Sequence, residues 1–217
     1  MDIKKQLIPV NRKDQRPGLA LKVKSITIHS TGNPTSTAQN EADNVCYNST
    51  RKASFHYVVD DKEIIQVIPD NERAYHAGEQ ANRESLGIEI CESGNRKKAL
   101  LNAAWLIRHL SEKYKLTKFK THKDWTGKIC PRILIDKAYI KDGLNLDAFM
   151  RMINNPEESE ETELIYNKME EIPAWAHGPV KWAIDNGILK GDAKGLALTS
   201  DNLKTIIFLH RYAQLEK

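Results

Sequence analysis

Lys22–Ser30, KVKSITIHS, runs directly into Thr31-Gly32-Asn33-Pro34. Apolar and polar residues alternate, with Val23, Ile26 and Ile28 in a β-branched context, and a Gly-Asn-Pro turn follows at once. That pattern predicts a strand that stops beside His29. The C-terminal ends of strands are where α/β sheets place their functional groups, so His29 is the first candidate site residue.

Working outward, Thr37–Asn48 carries Ala38, Ala42, Val45 and Cys46 at helical spacing and predicts a helix. Ser54–Asp60 and Glu63–Pro69 are apolar runs joined by Asp61-Lys62, a hairpin-like pair of strands. Tyr75-His76-Ala77-Gly78 and the polar residues to Ser85 read as a loop. Leu86–Cys91, LGIEIC, reads as a short buried strand with one carboxylate, Glu89. Lys97–Tyr114 repeats Leu100, Leu101, Ala104, Leu106, Ile107 and Leu110 every three to four residues, an amphipathic helix. Phe119–His122 predicts a further strand, and Asn145–Ile153 a closing helix capped by Asn145. Strands and helices alternate without internal repeats. The expected class is therefore α/β, a mixed central β-sheet flanked by helices.

The C-terminal third reads differently. Asn154–Glu163, NNPEESEETE, is acidic and without apolar residues, which is linker composition. Beyond it, Ala174–Asn186 and Ser200–Tyr212 predict two short helices, separated by Asn186-Gly187 and the loop of Gly191 and Gly195. The expected organisation is a catalytic domain over 1–154, an acidic linker over 155–168 and a small all-α domain over 169–217. A unit of roughly 50–60 residues without disulfide or metal is marginal alone, so it is expected to dock on a partner or on another copy.

Of the 217 residues, 40% are hydrophobic, 29% charged and 7% aromatic, as in ordinary soluble globular proteins. No apolar run approaches the roughly 18 residues of a membrane span. The N-terminus MDIKKQLIPVNRKDQRPG has no apolar core or cleavage site of a secretion signal, so synthesis and folding in the cytoplasm are expected. Three cysteines at irregular spacing suit a reducing compartment, not a disulfide framework. Residues 156–217 hold 7 Lys and Arg against 11 Asp and Glu, which leaves 26 against 18 for residues 1–155. A basic body points to an anionic partner. No basic helix, aromatic-interleaved basic strand or finger spacing supports nucleic acid, and a polyanionic cell wall is the other option.

Lys120–Arg132, KTHKDWTGKICPR, holds the chemistry. His122 and Cys130 are both zinc ligands by type, but they are two, and a third must come from elsewhere. His29 would complete a three-ligand set with one open position, the arrangement of a catalytic site. Glu89, between Ile88 and Ile90, points to the face opposite theirs and suits a general base. Lys128 suits oxyanion stabilisation. On spacing alone, plainer readings stand beside these: a surface histidine, a small buried cysteine, a strand-end ion pair and a solvated loop charge.

Together ITIHSTGNP, ASFHYVVDDKEIIQVIP, AYHAG, ESLGIEIC and KTHKDWTGKICPR resemble the zinc-dependent N-acetylmuramoyl-L-alanine amidases of the amidase type 2 family, which includes phage endolysins and is related to the peptidoglycan recognition proteins. The resemblance covers about residues 20–150. It implies Zn²⁺ held by His29, His122 and Cys130, with Glu89 and Lys128 catalytic and no organic cofactor. Phe55 stands where some phage members carry a tyrosine, so the carboxylate form of the mechanism is implied. His56, His76 and Trp125 are expected near the substrate groove, Trp125 equally as packing, and Cys46 and Cys91 in the core. The implied reaction is cleavage of the amide between N-acetylmuramic acid and L-alanine in peptidoglycan, by a phage or prophage endolysin of a Gram-positive host that reaches the wall through a lesion made by another protein. A host sporulation or autolysis amidase and a non-catalytic peptidoglycan-binding protein are the alternatives. Trp175, Trp182 and Gly187-Ile188 in the tail resemble one S-layer-homology repeat, which implies wall binding or self-association.

Overall fold

In the computed structural model, which describes residues 1–155, 166–191 and 195–215, six strands make one sheet. They are β1 (Ile3–Lys5), β2 (Ser25–Ser30), β3 (Tyr57–Val59), β4 (Ile64–Gln66), β5 (Ser85–Ile90) and β6 (Phe119–Thr121). Their order is β1-β4-β3-β5-β2-β6. Only β3 and β4 pair antiparallel, and the other pairings are parallel. The sheet is thus mixed, as expected, with β3 and β5 at its centre and β2 between β5 and the edge strand β6.

Period-two alternation decides what each face carries. Ile26, Ile28, Tyr57, Val59, Ile64, Leu86, Ile88 and Ile90 join one apolar cluster with Leu100, Ala103, Ala104 and Ile107 of the long helix α3 (Arg96–Tyr114). On the opposite face Val58 and Ile65 pack with Ala38 and Ala42 of α1 (Ala38–Asp43), Val45 and Cys46 of the wider turn that follows it, and Cys91. Each buried aliphatic side chain contributes about 1.5–3 kcal/mol, more than the ~1 kcal/mol span of β-propensity, so strands of only three residues hold. Cys46 and Cys91 are buried, as expected.

The structure departs from the expected elements where periodicity was absent. Ile3–Lys5, in the polar leader, is an edge strand paired with β4; only Ile3 packs on the core. Helix α2 (Glu79–Glu84) occupies the expected loop before β5 and buries only Ala81 and Asn82, too few to show a helical period. The strand expected to reach His122 ends at Thr121, because Thr121 and Asp124 form a reciprocal capping box that starts α4 (His122–Thr126). Two helices complete the unit, α5 (Arg132–Ile135) and α6 (Leu146–Asn154), the second capped by Asn145, whose side chain accepts from the Ala148 amide.

By internal packing the chain divides into Met1–Ser159 and Glu160–Lys217. The second unit is helical. In it α7 (His177–Asp185), preceded by a separate tight turn at Ala174–Ala176, and α8 (Ser200–Leu215) enclose Ile172, Ala176, Val180, Ala183, Leu198, Leu203 and Ile206. Tyr166 bridges to Leu198. Most of the expected acidic linker lies outside the described residues. Among those described, no helix is long and apolar enough to cross a membrane.

Candidate metal centre and active site

The register of β2 and β5 sets His29 directly opposite Glu89. Both lie on the sheet face away from α3, near the C-terminal ends of their strands. Glu89 Oε1 is 4.0 Å from His29 Nδ1. The capping box turns the chain at the end of β6, so His122 becomes the first residue of α4 and its Nδ1 lies 3.2 Å from His29 Nδ1. The following loop returns Cys130, whose Sγ is 3.6 Å from His29 Nδ1. That loop is fastened at both sides: the Ser30 amide donates to Cys130 Sγ at 3.4 Å, and the Lys123 amide to the Cys130 carbonyl at 3.2 Å. One ligand atom from each of His29, His122 and Cys130 lies within 4.8 Å of the others.

The hydrogen-bond network assigns the tautomer of His29. His76 Nε2 lies 3.2 Å from the Ser85 carbonyl and must donate to it, which leaves His76 Nδ1 as an acceptor. His29 Nε2, 3.1 Å away, then donates to His76 Nδ1. The lone pair of His29 is therefore on Nδ1, the atom that faces His122 and Cys130. His76 is a positioning residue for His29. Gly87 makes room for it: a Cβ on Gly87 would sit 2.8 Å from His76 Cγ. Gly87→Ala is expected to lower stability by about 1–3 kcal/mol and to disturb the His29–His76 bond, seen in urea midpoints and in the imidazole NMR signals.

His56 is not where the sequence placed it. It is fully buried, accepts from the Gly87 amide through Nδ1 at 2.9 Å, and donates through Nε2 to the Glu72 carbonyl at 2.9 Å. Both nitrogens are committed, so the ring holds β3 to its neighbours and does not face a groove. Burial, above all, pushes its pKa down to about 4. The unfolded chain, with histidine near its ordinary value of about 6.5, binds this proton first. Stability from this group is complete above that value and falls as pH drops towards 4, by about 3 kcal/mol in all. Denaturation of metal-free protein at stepped pH checks this, and His56→Asn should flatten the dependence in that window.

The cluster lacks a compensating charge. Burial, and then the neighbouring His76, His122 and Lys128, hold His29 well below the usual histidine range. Burial also lowers His122, with Lys128 acting the same way. The Cys130 thiol is pushed up to about 12, mainly by burial and then by Glu89. Glu89 is raised to about 8, mainly by burial and then by Glu41, with Lys128 opposing. Its side chain is one-fifth exposed, yet Oε2 is buried without a hydrogen-bond partner. Two neutral imidazoles, a thiol and an orphaned carboxylate oxygen are a donor set for a cation. The 3.2 and 3.6 Å separations suit tetrahedral ligands at roughly 2.0–2.3 Å from a common ion.

Lys128 is exposed on the loop between α4 and Cys130, and its charge acts on all four of these groups. Trp125 is oriented differently from a free saccharide platform. Its Nε1 donates to Thr27 Oγ1 at 2.8 Å, and Lys120 Nζ sits 3.6 Å from the ring centroid, covering one face. Thr27, Ser85 and Gly87 are supporting residues that motif reading passed over; the alternation of β2 and β5 was the signal that could have found them.

Comparison with known proteins gives a consistent picture. A family model described as N-acetylmuramoyl-L-alanine amidase matches residues 19–133. The N-acetylmuramoyl-L-alanine amidase CwlA of a Bacillus species is 36% identical over 192 residues, covering 82% of this chain and 76% of the relative. CwlH of Bacillus subtilis is 42% identical over 143 residues, covering 62% of this chain and 57% of the relative. Among solved structures, the catalytic domain of XlyA superposes with a TM-score of 0.62 at 38% identity, covering 70% of this chain and 99% of that one.

Proposed function

The chain belongs to the N-acetylmuramoyl-L-alanine amidase family, and from that premise we propose that it hydrolyses the amide between the lactyl group of N-acetylmuramic acid and L-alanine of the peptidoglycan stem peptide, with zinc held by His29, His122 and Cys130. The observation that carries this reading is the convergence of the three ligand atoms beside the orphaned oxygen of Glu89. Nitrogen and thiolate donors suit zinc among the common divalent ions, and three protein ligands leave a position open. When bound, the metal supplies Lewis acidity and brings the pKa of water towards neutrality.

The residues of the chain do the rest. Glu89 takes the proton from the attacking water and returns it to the leaving amine; its raised pKa makes both protonation states accessible near neutral pH. The metal's positive charge draws that pKa back down when the site is loaded. Lys128 offers an ammonium to the oxygen of the tetrahedral intermediate. His76 keeps the proton of His29 on Nε2, away from the metal side. The complete ligand set argues against a purely binding role.

The reaction class is tested on purified Gram-positive walls, where turbidity falls and new N-terminal alanine appears. Reducing sugar ends without new alanine would sink the assignment. Lys128→Ala is expected to lower kcat by about 10²–10³ with KM little changed, measured on a soluble muropeptide. Lys128→Arg should recover part of the loss.

In this reading the catalytic domain spans 1–154, and the helical segment from 169 serves wall attachment or self-association. Exposed Trp175, Phe208 and Tyr212 support that role. The protein acts on the wall as a phage or prophage endolysin, released from the cytoplasm through a membrane lesion. Lysis by the added enzyme across a panel of walls, with and without residues 169–217, separates a targeting role from an oligomeric one.

A further inference from the structure

At the opposite end of β2 from His29, the first unit has a cavity of about 410 Å³. Lys24, Lys115, Lys118 and Lys120 line it, and Glu84 is the one carboxylate among the lining residues. Glu84 pairs with Lys24 at 3.1 Å. Lys115 and Lys118 make no ion pair among the described residues. Ser25 also lines the cavity; it is 4% exposed, and its hydroxyl has no hydrogen-bond partner among the described residues. Trp125 forms a further wall, its ring under Lys120 Nζ. The C-terminal end of α3 adds partial negative charge, about half an elementary charge, which together with Glu84 does not offset four ammonium groups.

We propose that this cavity is an anion subsite for a phosphate group. The Ser25 hydroxyl is buried without a partner, a cost that a polar ligand atom at the cavity floor relieves. The cations around it are all lysines. Arginine's planar fork matches a carboxylate two bonds at a time, whereas ammonium groups act as point charges from several directions, which a tetrahedral anion accepts. Ser25 supplies one hydrogen bond at the floor, and Lys115, Lys118 and Lys120 neutralise the charge. The subsite uses none of the ligands of the metal cluster and does not depend on the amidase reading.

The test is a titration of the full ¹⁵N-labelled chain with inorganic phosphate and with glycerol 3-phosphate, against acetate at equal ionic strength. Both phosphates should give saturable shifts at Ser25, Lys118 and the Trp125 indole, and acetate should give none there. Lys118→Gln with Lys120→Gln is expected to weaken binding at least about tenfold, and Ser25→Ala about threefold. Lys62→Gln, an exposed lysine elsewhere, should leave it unchanged. Unmoved amides outside the cavity report that each variant is folded. Linear shifts spread over all lysines would overturn the proposal, as would equal saturation by acetate or an unweakened double variant. A single-stranded oligonucleotide that moves these signals where inorganic phosphate does not would replace it with a nucleic-acid site.

Discussion

Glu89→Gln is expected to lower the rate of amide cleavage by about 10²–10⁴ while leaving metal content and fold intact. Glutamine fills the same volume between β2 and β3 and keeps a carbonyl oxygen where the orphaned Oε2 lies. It cannot accept a proton from water at any pH of interest. The change also removes a buried carboxyl raised to about 8, whose charged form burial penalises, so the variant loses no favourable ion pair and should be at least as stable at neutral pH. Its melting temperature and zinc stoichiometry then match the parent while kcat collapses. A Glu89→Gln protein that cleaves walls within a few-fold of the parent would remove the general base from the mechanism, and one that loses zinc would make Glu89 a ligand instead.

Cys130→Ser is expected to take activity below detection, and for a different reason. Serine keeps a polar atom at the end of the side chain but replaces the thiolate by a hydroxyl that stays protonated and binds zinc poorly. The thiol is raised to about 12 by its surroundings, so the free protein holds it neutral and the metal must displace the proton. Zinc binding to the parent should therefore release a proton, seen as a buffer-dependent enthalpy in calorimetry, and this release should be absent from Cys130→Ser. The lost rate is large because water without metal ionises near 15.7, against about 7 when coordinated. If Cys130→Ser retained stoichiometric zinc and wall lysis, the three-ligand assignment would be wrong. Chelation of the parent reproduces the effect, and added zinc reverses it.

Legibility followed the density of buried side chains. The alternation of Ile26 and Ile28 located β2, and the run Leu86–Ile90 located β5, because each strand fills both faces of the sheet. The long helix α3 was visible for the same reason: it buries an unbroken stripe from Ala99 to Leu110. Glu89 was placed on the correct face by the same alternation. The edge strand at Ile3–Lys5 and the helix at Glu79–Glu84 bury one or two residues each, and so had no period to read. The turn at His122 was written in Thr121-x-x-Asp124, a capping box that outranks strand continuation. His56 shows the limit of motif reading: its motif points to a groove residue, while its two hydrogen bonds, to Gly87 and Glu72, come from strand and loop positions 31 and 16 residues further along the chain. Trp125, for which packing and a groove position are equal readings of the sequence, donates to Thr27, 98 positions earlier, a partner that no local pattern reveals.

The pairing of His29 with Glu89 across β2 and β5 also bears on how this enzyme fails under heat. The spacing between the proposed base and the proposed metal ligand is measured out by main-chain ladder bonds, not by a flexible loop. A shift of one position along either strand would carry isoleucines into the polar face and histidine into the oil of the interior, so a partly misaligned sheet has no favourable resting place. With zinc in excess, loss of activity on warming and loss of sheet structure will accordingly share one midpoint, and no form with a slipped sheet will accumulate between them.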